Sequence, residues 1–456
     1  MESSITNDVL EASVICPYKA YLKHAGHSGT ISEYEAVLFQ LRSEVKEKVT
    51  RRILTQHPER TVVAGQLVTP ALLRRGPLFV LDACIEDDHV SLTLDGLKKV
   101  SGSSSLGAFL YLPVVFNEAQ HVHKEQRLLL ALQSIVLSQY QRTVPRSGIV
   151  WHGRVGQATR VQLTHELPKA EQLLRDMKKG IGLEQPPPLM LNDHCHICEF
   201  RQRCYEQAIQ EDTLSLLRGM SGKEIKGYNR KGIFTVTQLA HTFRPRRKSK
   251  RARQETHQRS SALQALAIRD QRIYVIGQPT LLQKPVQMYF DIESNPDAGF
   301  IYLIGLIVVE NGIPHHLTFW ADRKEQEATI FEQFIAAVCR YEDFVVFCYG
   351  NYERTFLKRM RLNAKRKKLV DRVLAALVNV LTVIYPHVYF PTYSNSLKDI
   401  GRYLGCSWTE ANASGIQSIV WRLRWEATAS EEWKQKLTQY NLEDCLALQQ
   451  VTALLW

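Results

Sequence analysis

The sequence predicts a multidomain α/β protein. At each end of the chain, short β-rich runs alternate with apolar residues at helical spacing. The two regions are separated by short helical signals and a dense positive run. At roughly 100–200 residues per domain, 456 residues allow two to four domains. The expected layout is a mixed α/β domain over 1–210, a helical connector with a basic linker over 211–285, and a second α/β domain over 286–456.

In the first region Glu33–Thr55 predicts a long helix, and Val90–Leu94 and Tyr111–Phe116 predict short strands. Leu128, Leu132, Ile135 and Val136 place a helix over Glu125–Tyr140. In the connector, Leu214, Leu217, Ile225, Ile233 and Leu239 mark short helices. In the last region Met288–Ile292, Tyr302–Val309 and Leu317–Trp320 read as successive strands. Gln326–Cys339 reads as an amphipathic helix and Phe344–Tyr349 as a further strand, after which helical patterns dominate to Trp456.

The net charge of +12 favours a polyanionic partner, because Lys and Arg gain free energy by displacing counterions from phosphates. An acidic lipid surface is the rival, but no amphipathic basic anchor is visible. Met1–Ala12 is polar and has no apolar signal-peptide core, and no run approaches the ~18–20 residues of a membrane span. A cytoplasmic location without membrane attachment is expected. Nine cysteines then argue against a disulfide framework.

The chemistry-bearing residues cluster late in the chain. Asp291-Ile-Glu293 follows the apolar run Val286–Phe290. Acids two apart on a strand share one face, and their repulsion is costly unless a cation lies between them. Mg²⁺ or Mn²⁺ suits such oxygen ligands. Alone, the pair is a weak signal and reads more readily as a strand running into the polar turn Ser294–Asp297. Phe344–Leu357 holds a strand, a turn and a helix beginning near Tyr352-Glu353, where the acid otherwise serves the helix dipole. Tyr440 and Asp444 lie four apart on a predicted helix and share a face, as an ordinary solvated pair also would.

In this order and spacing the three pieces resemble the motifs of DnaQ-like 3′–5′ exonucleases, of the Tyr-bearing DEDD type with an RNase H-like fold. Glu353 departs from the Asp usual there. Ser396–Gly405 resembles the helix and turn common in such domains, with Asp399 expected on the surface. The resemblance implies two Mg²⁺ or Mn²⁺ ions held by Asp291, Glu293, Glu353 and Asp444. Asp291 would bridge them, Glu293 and Asp444 would complete one site, and Glu353 would hold the second through water. Tyr440 would orient the attacking water, a phenol with pKa near ~10 being a poor base at neutral pH.

Cys195-x2-Cys198-x5-Cys204 stands in a polar segment beside His194 and His196, with Cys16 far upstream. One cysteine opening a domain and three closing it resembles RecB-like nucleases with an iron–sulfur staple. That resemblance implies a [4Fe–4S] cluster; the alternative is structural Zn²⁺, with His194 or His196 in place of Cys16. It also implies a PD-(D/E)xK core. Asp95 fits its strand aspartate and Glu44 or Glu47 its helix acid, while Gln139-Tyr140 resembles the helix that follows. Val115 and Asn117 stand where Glu and Lys belong. Glu118 and Lys124 are displaced candidates, so the expected state is a degenerate nuclease domain.

Gly219–Ala240 resembles a degenerate helix-hairpin-helix; a plain helical connector is the alternative. Arg246, Arg247, Lys248 and Lys250, in the run Arg244–Arg253, are either a solvated linker or a strand-gripping loop. The chain as a whole resembles the RecB-like nuclease family that joins a cluster-bearing PD-(D/E)xK-like domain to an RNase H-like exonuclease domain. A metal-dependent 3′–5′ exonuclease on DNA or RNA, preferably single-stranded, is therefore expected, with a helicase or other nucleic-acid-processing protein as a possible partner. The alternative is a non-catalytic binding or scaffold subunit of a repair, transposition or defence complex. A third reading is an active PD-(D/E)xK endonuclease.

Overall fold

The computed structural model describes residues 4–87, 89–180, 186–244, 259–295 and 299–455. The chain divides into two compact units, 1–204 and 205–456, so residues 205–285 fall within the second.

The first unit begins with α1 (Asn7–Ile15), α2 (Pro17–His24) and the long α3 (Glu33–Gln56). Ser32 caps α3 by accepting from the Glu35 N–H at 3.2 Å, and Glu33 and Glu35 complement the dipole in its first turn. Val45, Val49 and Ile53 recur at helical spacing and pack on Phe79, Leu81 and Phe116. β1 (Val62–Ala64), α4 (Pro70–Arg75), β2 (Phe79–Glu86), β3 (Ser91–Ser104) and β4 (Gly107–Asn117) come after it, then α5 (Lys124–Gln141), β5 (Ser147–His152), β6 (Gln157–Gln162) and α6 (Leu167–Gly180); α7 (Arg201–Gln210) runs across the division at residue 204. Six strands form one sheet in the order β1-β2-β3-β4-β5-β6. The β1/β2 and β4/β5 pairs are parallel and the rest antiparallel. The two short runs expected from sequence are thus parts of a long β3–β4 hairpin.

The second unit opens with α8 (Gly222–Asn229), α9 (Val236–Ala240) and α10 (Ser261–Asp270). Ile233, expected in a helix, lies in the loop before α9. β7 (Tyr274–Val275) leads to β8 (Val286–Asn295), β9 (Phe300–Glu310) and β10 (Ile313–Trp320), which form an antiparallel meander. Asn311 and Gly312 both have positive φ, the requirement of the two-residue turn that joins β9 to β10. α11 (Glu327–Val338), β11 (Phe344–Cys348), α12 (Tyr352–Arg361), α13 (Lys367–Ala376), β12 (Leu377–Asn379), α14 (Val380–His387) and β13 (Val388–Tyr389) come next. α15 (Leu397–Tyr403), α16 (Gly415–Thr428) and α17 (Glu431–Ala453) end the chain. The sheet order is β10-β9-β8-β11-β12, with β11 parallel to β8 and β12; β7 and β13 pair separately. β8 is therefore central and runs on to Asn295, past the point where the sequence pattern suggested a turn.

Met288 and Phe290 face α11, where Phe290 stacks on Phe334 with ring centroids 4.6 Å apart. Tyr289 faces the other way, among Cys445, Leu448 and Val451 of α17. α16 is pinned by Arg422, which is fully buried. Its guanidinium lies 4.4 Å from the Trp425 ring centroid and 4.8 Å from that of Tyr302, with Trp320 and Phe300 close by. It donates to the carbonyls of Ala321 (2.9 Å) and Asp322 (2.6 Å) and to Glu426 (2.9 Å).

Arg422→Ala leaves both carbonyls and Glu426 without their donor. The expected loss is about 3–5 kcal/mol, seen as a fall in melting temperature on the order of 10 °C. Arg422→Lys falls less, since an ammonium cannot span the three acceptors. Unchanged melting of Arg422→Ala would show that the aromatic cage holds α16 without the cation.

Candidate functional site

β8 carries Asp291 and Glu293 on the face covered by α17, because strand side chains alternate. α17 presents Tyr440, Asn441, Asp444 and Cys445 as one buried strip, as residues one, four and five apart do on a helix. Asp291 pairs across the sheet with Gly305 of β9. A Cβ at Gly305 would stand 1.8 Å from Asn441 Oδ1, so the bare backbone admits the amide. Asn441 Nδ2 then donates to Asp291 Oδ2 at 2.7 Å.

Asp291, Glu293 and Asp444 each offer a carboxylate oxygen, and these oxygens all lie within 4.8 Å of one another. Among the described residues this is the one such group of potential metal ligands. Glu353, at the second position of α12, stands outside that trio. It is buried, its Oε2 has no hydrogen-bond partner, and its charge is felt at Asp291 and Glu293.

Neutral and cationic donors brace the acids. Ser418 of α16 donates to Glu293 Oε2 at 2.7 Å, and Trp408 Nε1 donates to Asp444 Oδ1 at 2.7 Å. Lys398 of α15 donates to the Tyr440 phenol oxygen at 2.6 Å and reaches Asp444 at 3.5 Å. Lys398 stands over the rings of Tyr440 and Trp408. Sequence reasoning missed Asn441, Ser418, Trp408 and Lys398. Lys398 sits in the Ser396–Gly405 segment, and Asn441 could have been sought as the residue opposite Gly305. Trp408 and Ser418 carry no local signal. Asp399 turns away to Ser394, and its N–H caps α15 on Ser396.

The electrostatics are those of a site short of positive charge. Burial, then the charges of Asp444, Glu293 and Glu353, hold Asp291 well above the usual carboxylate range. Burial, then Asp444, pushes Glu293 up to about 8, and burial takes Glu353 to about 7. Burial also raises Asp444, against the pull of Lys398 and Trp408, and lowers Lys398. A divalent cation reverses the repulsion, and hard oxygen ligands suit Mg²⁺ or Mn²⁺. The residues fit such ions.

The cysteines occupy one pocket of the first unit. Cys16 caps α2, Cys195 lies in the turn Asp193–His196, Cys204 is on α7, and all three line the pocket with Cys198, Lys19 and His194. Burial and the other three thiols push Cys204 up to about 12, while burial and the Lys19 charge lower His194 to about 4. The two ends of the unit are joined here. Asn192 Nδ2 reaches the Ile15 carbonyl at 3.5 Å, the Thr30 N–H donates to the Glu199 carbonyl at 3.0 Å, and Ser32 Oγ donates to that of Ile197 at 3.0 Å.

Around Asp95 the arrangement differs. Its Oδ2 accepts from the Phe116 N–H at 2.9 Å, and Lys46 of α3 lies 3.6 Å away while holding Asp82 at 2.5 Å. Glu44 and Glu47 lie along the exposed side of α3, bonded to Gln40 and Arg51. Val115 is core, and Asn117 accepts from the Ala119 N–H. Glu118 is paired with Arg42, and Lys124 is almost fully exposed. Gln139 is exposed, Tyr140 reaches the Glu86 carbonyl, and Gln141, fully buried, bonds both backbone groups of Tyr111. Arg246, Arg247, Lys248 and Lys250 lie outside the described residues. No helix among the described residues is long and apolar enough to cross a membrane.

Residues 288–456 match the model of the RNase H superfamily. No curated protein matches the chain. The molecule is thus a mixed α/β protein whose C-terminal part has an RNase H-like, nuclease-like fold.

The raised carboxylates set a pH dependence. Glu293 rises from 4.5 to about 8 on folding, so the folded site binds more protons than the unfolded chain between those values. The stability linked to that proton is present below the unfolded pKa and lost as pH rises through about 8. Mg²⁺ or Mn²⁺ should therefore raise the melting temperature more at pH 8 than at pH 6, where protons compete for the same oxygens. An equal gain at both pH values would place the stabilising ion elsewhere.

Proposed function

We propose that the second unit is a DEDD-type 3′–5′ exonuclease acting on single-stranded nucleic acid. The observation that carries this reading is the convergence of Asp291, Glu293 and Asp444 from the central strand and the last helix of an RNase H-like fold. Two Mg²⁺ or Mn²⁺ ions held by these three and Glu353 would supply charge neutralisation at the scissile phosphate and an acidified water.

The chain's own groups prepare that chemistry. Asn441 and Ser418 fix one oxygen each of Asp291 and Glu293, so their remaining lone pairs are aimed in advance. Lys398 holds the Tyr440 oxygen in place, and burial pushes the Tyr440 phenol far above its ordinary range. Tyr440 is therefore a positioning group for water and not a base. Glu353, one methylene longer than the usual Asp, keeps a free buried oxygen for the second ion.

The first unit is read as a degenerate PD-(D/E)xK domain. In support, the Lys46 ammonium lies beside Asp95, while Val115 and Asn117 are spent on packing and a turn. Cys16, Cys195, Cys198 and Cys204 are read as [4Fe–4S] ligands. Their gathering around one pocket from both ends of the unit supports that reading, and a structural Zn²⁺ is the alternative. Lys19 adds a cation beside Cys198 that suits an anionic cluster. A scaffold role is the second reading, favoured by the lost Glu-x-Lys pair and by Glu353. A helicase or other nucleic-acid-processing protein as partner, and a cytoplasmic location, go with either.

The test is incubation with 3′- and 5′-labelled single-stranded DNA and RNA in Mn²⁺, Mg²⁺ or EDTA. Wild type and Asp95→Ala should shorten the strand from its 3′ end only with metal, and Asp291→Ala/Asp444→Ala should lose at least about 10³-fold in rate. Tight binding without cleavage by wild type would leave the scaffold reading. Activity lost in Asp95→Ala but kept in the double variant would move the chemistry to the first unit.

Protein purified without air should contain about four iron and four sulfide per chain, with broad visible absorbance. Cys198→Ser should lose both. Stoichiometric zinc without sulfide would replace the cluster by a structural ion.

A further inference from the structure

The connector's helical hairpin has no task in the chemistry above, and its surface is one-sided. From Thr213 to Arg244 the chain carries Arg218, Lys223, Lys226, Arg230, Lys231 and Arg244 against Glu224 alone. Lys223, Lys226 and Arg230 are spaced three and four apart, so they lie along one face of α8 and its C-cap. Ile225, buried, faces the body on the opposite side. Gly227 falls in the middle of the cationic face, and a Cβ there would meet no atom within 4 Å. The face is thus a row of exposed cations flanking bare backbone.

Glu224 does not offset it, for its carboxylate is turned back to the N-cap, where it accepts from the Ser221 N–H at 2.7 Å and from its hydroxyl at 2.6 Å. Among the described residues no carboxylate pairs with Lys223, Lys226, Arg230 or Lys231. The turn after α8 is made by Gly232 at φ +77, with open space around it. It presents Lys231, and two residues beyond the glycine Phe234 is 57% exposed. Phe234, three residues along the chain from Lys231, leaves its ring open to water, where a base can stack on it.

We propose that this hairpin is a second nucleic-acid contact, separate from the carboxylate site: the α8 face takes the phosphates of a strand and Phe234 stacks on a base. A backbone polyanion fits the linear array of charges, and a π-face suits every base alike. The same unit holds both sites. The Arg218 N–H donates to the Tyr393 carbonyl at 3.0 Å, just before the Ser396 cap of the helix that carries Lys398. The inference rests on the nuclease reading for its choice of partner, but its test needs no hydrolysis.

Binding of labelled DNA and RNA oligonucleotides by the full chain would be followed by anisotropy in EDTA, between about 50 and 200 mM salt. The Lys223→Ala/Lys226→Ala/Arg230→Ala/Lys231→Ala variant should bind at least about tenfold more weakly. Its slope of log K against log salt should be shallower by about 2–3, at ~0.7 per phosphate contact on a single strand. Phe234→Ala should bind about tenfold more weakly with the slope unchanged, since stacking carries no charge. All substituted residues are exposed, and an unchanged melting temperature certifies the fold. Unaltered affinity and slope in the fourfold variant overturn the proposal. So does a variant that keeps oligonucleotide binding but loses binding to phosphatidylserine vesicles, which would assign the face to a lipid surface. If the slope falls as expected while wild type cleaves nothing, the hairpin contact stands and the nuclease reading fails.

Discussion

Carboxylates held within 4.8 Å of one another repel, and the second unit is organised to withstand that repulsion. Asp291 and Glu293 cannot part because they lie two apart on the central strand, paired there with Gly305 and Leu303 of β9. Asp444 is fixed by a long helix docked on the same sheet face. Each acid then receives a donor from a different element: Asn441 of α17, Ser418 of α16, Trp408 after α15 and Lys398 within it. Arg422 matters at one remove. By tying α16 to the end of β10 it keeps Ser418 over Glu293. With the side chains braced in this way, a cation at the three oxygens would relieve the repulsion without any side-chain movement.

The first unit resolves a similar problem in the opposite way. Asp95 and Asp82 share Lys46, while Arg42 serves Glu11 and Glu118. These cations belong to the protein, so the acids are already compensated. In the second unit, among the described residues, one half-buried lysine, Lys398, faces three converging carboxylates with Glu353 as a fourth. The contrast is one of charge balance, and it separates a structural cluster from one that calls for a ligand from outside.

Local periodicity was the part of the site legible in the sequence. The two-residue repeat brought Asp291 and Glu293 to one face, and the four-residue step did the same for Tyr440 and Asp444. Both hold in the structure because neither depends on anything beyond its own element. β8, β9 and β11 were visible as apolar runs. The three-residue β12 was hidden between helical patterns, yet its Asn379 holds the Gly350 N–H in the turn before Glu353. β2 and β5 were missed because burial on both faces erases alternation. Trp408 and Ser418 reach the site from segments with no motif, so only tertiary structure reveals them. Lys398 stands next to Asp399 in a recognisable segment, but nothing local says that the lysine, and not the acid, turns toward the site.

The cysteine pocket has a consequence for how the polypeptide is made. Its first thiol belongs to residue 16 and its last to residue 204, and the hydrogen-bond partners of Ile15, Thr30 and Ser32 lie between residues 192 and 199. A nascent chain that has not yet delivered residue 199 leaves the end of α1 and the N-cap of α3 without these closing bonds. The chain leading into α1 can already pair with Val90 and Thr93, but the stretch from Ile15 to Ser32 must wait, for most of the unit's synthesis, on the arrival of its far end. Contacts of such sequence separation make for slow closure, and they turn the last dozen residues of the unit into the latch that decides when its first helices are sealed.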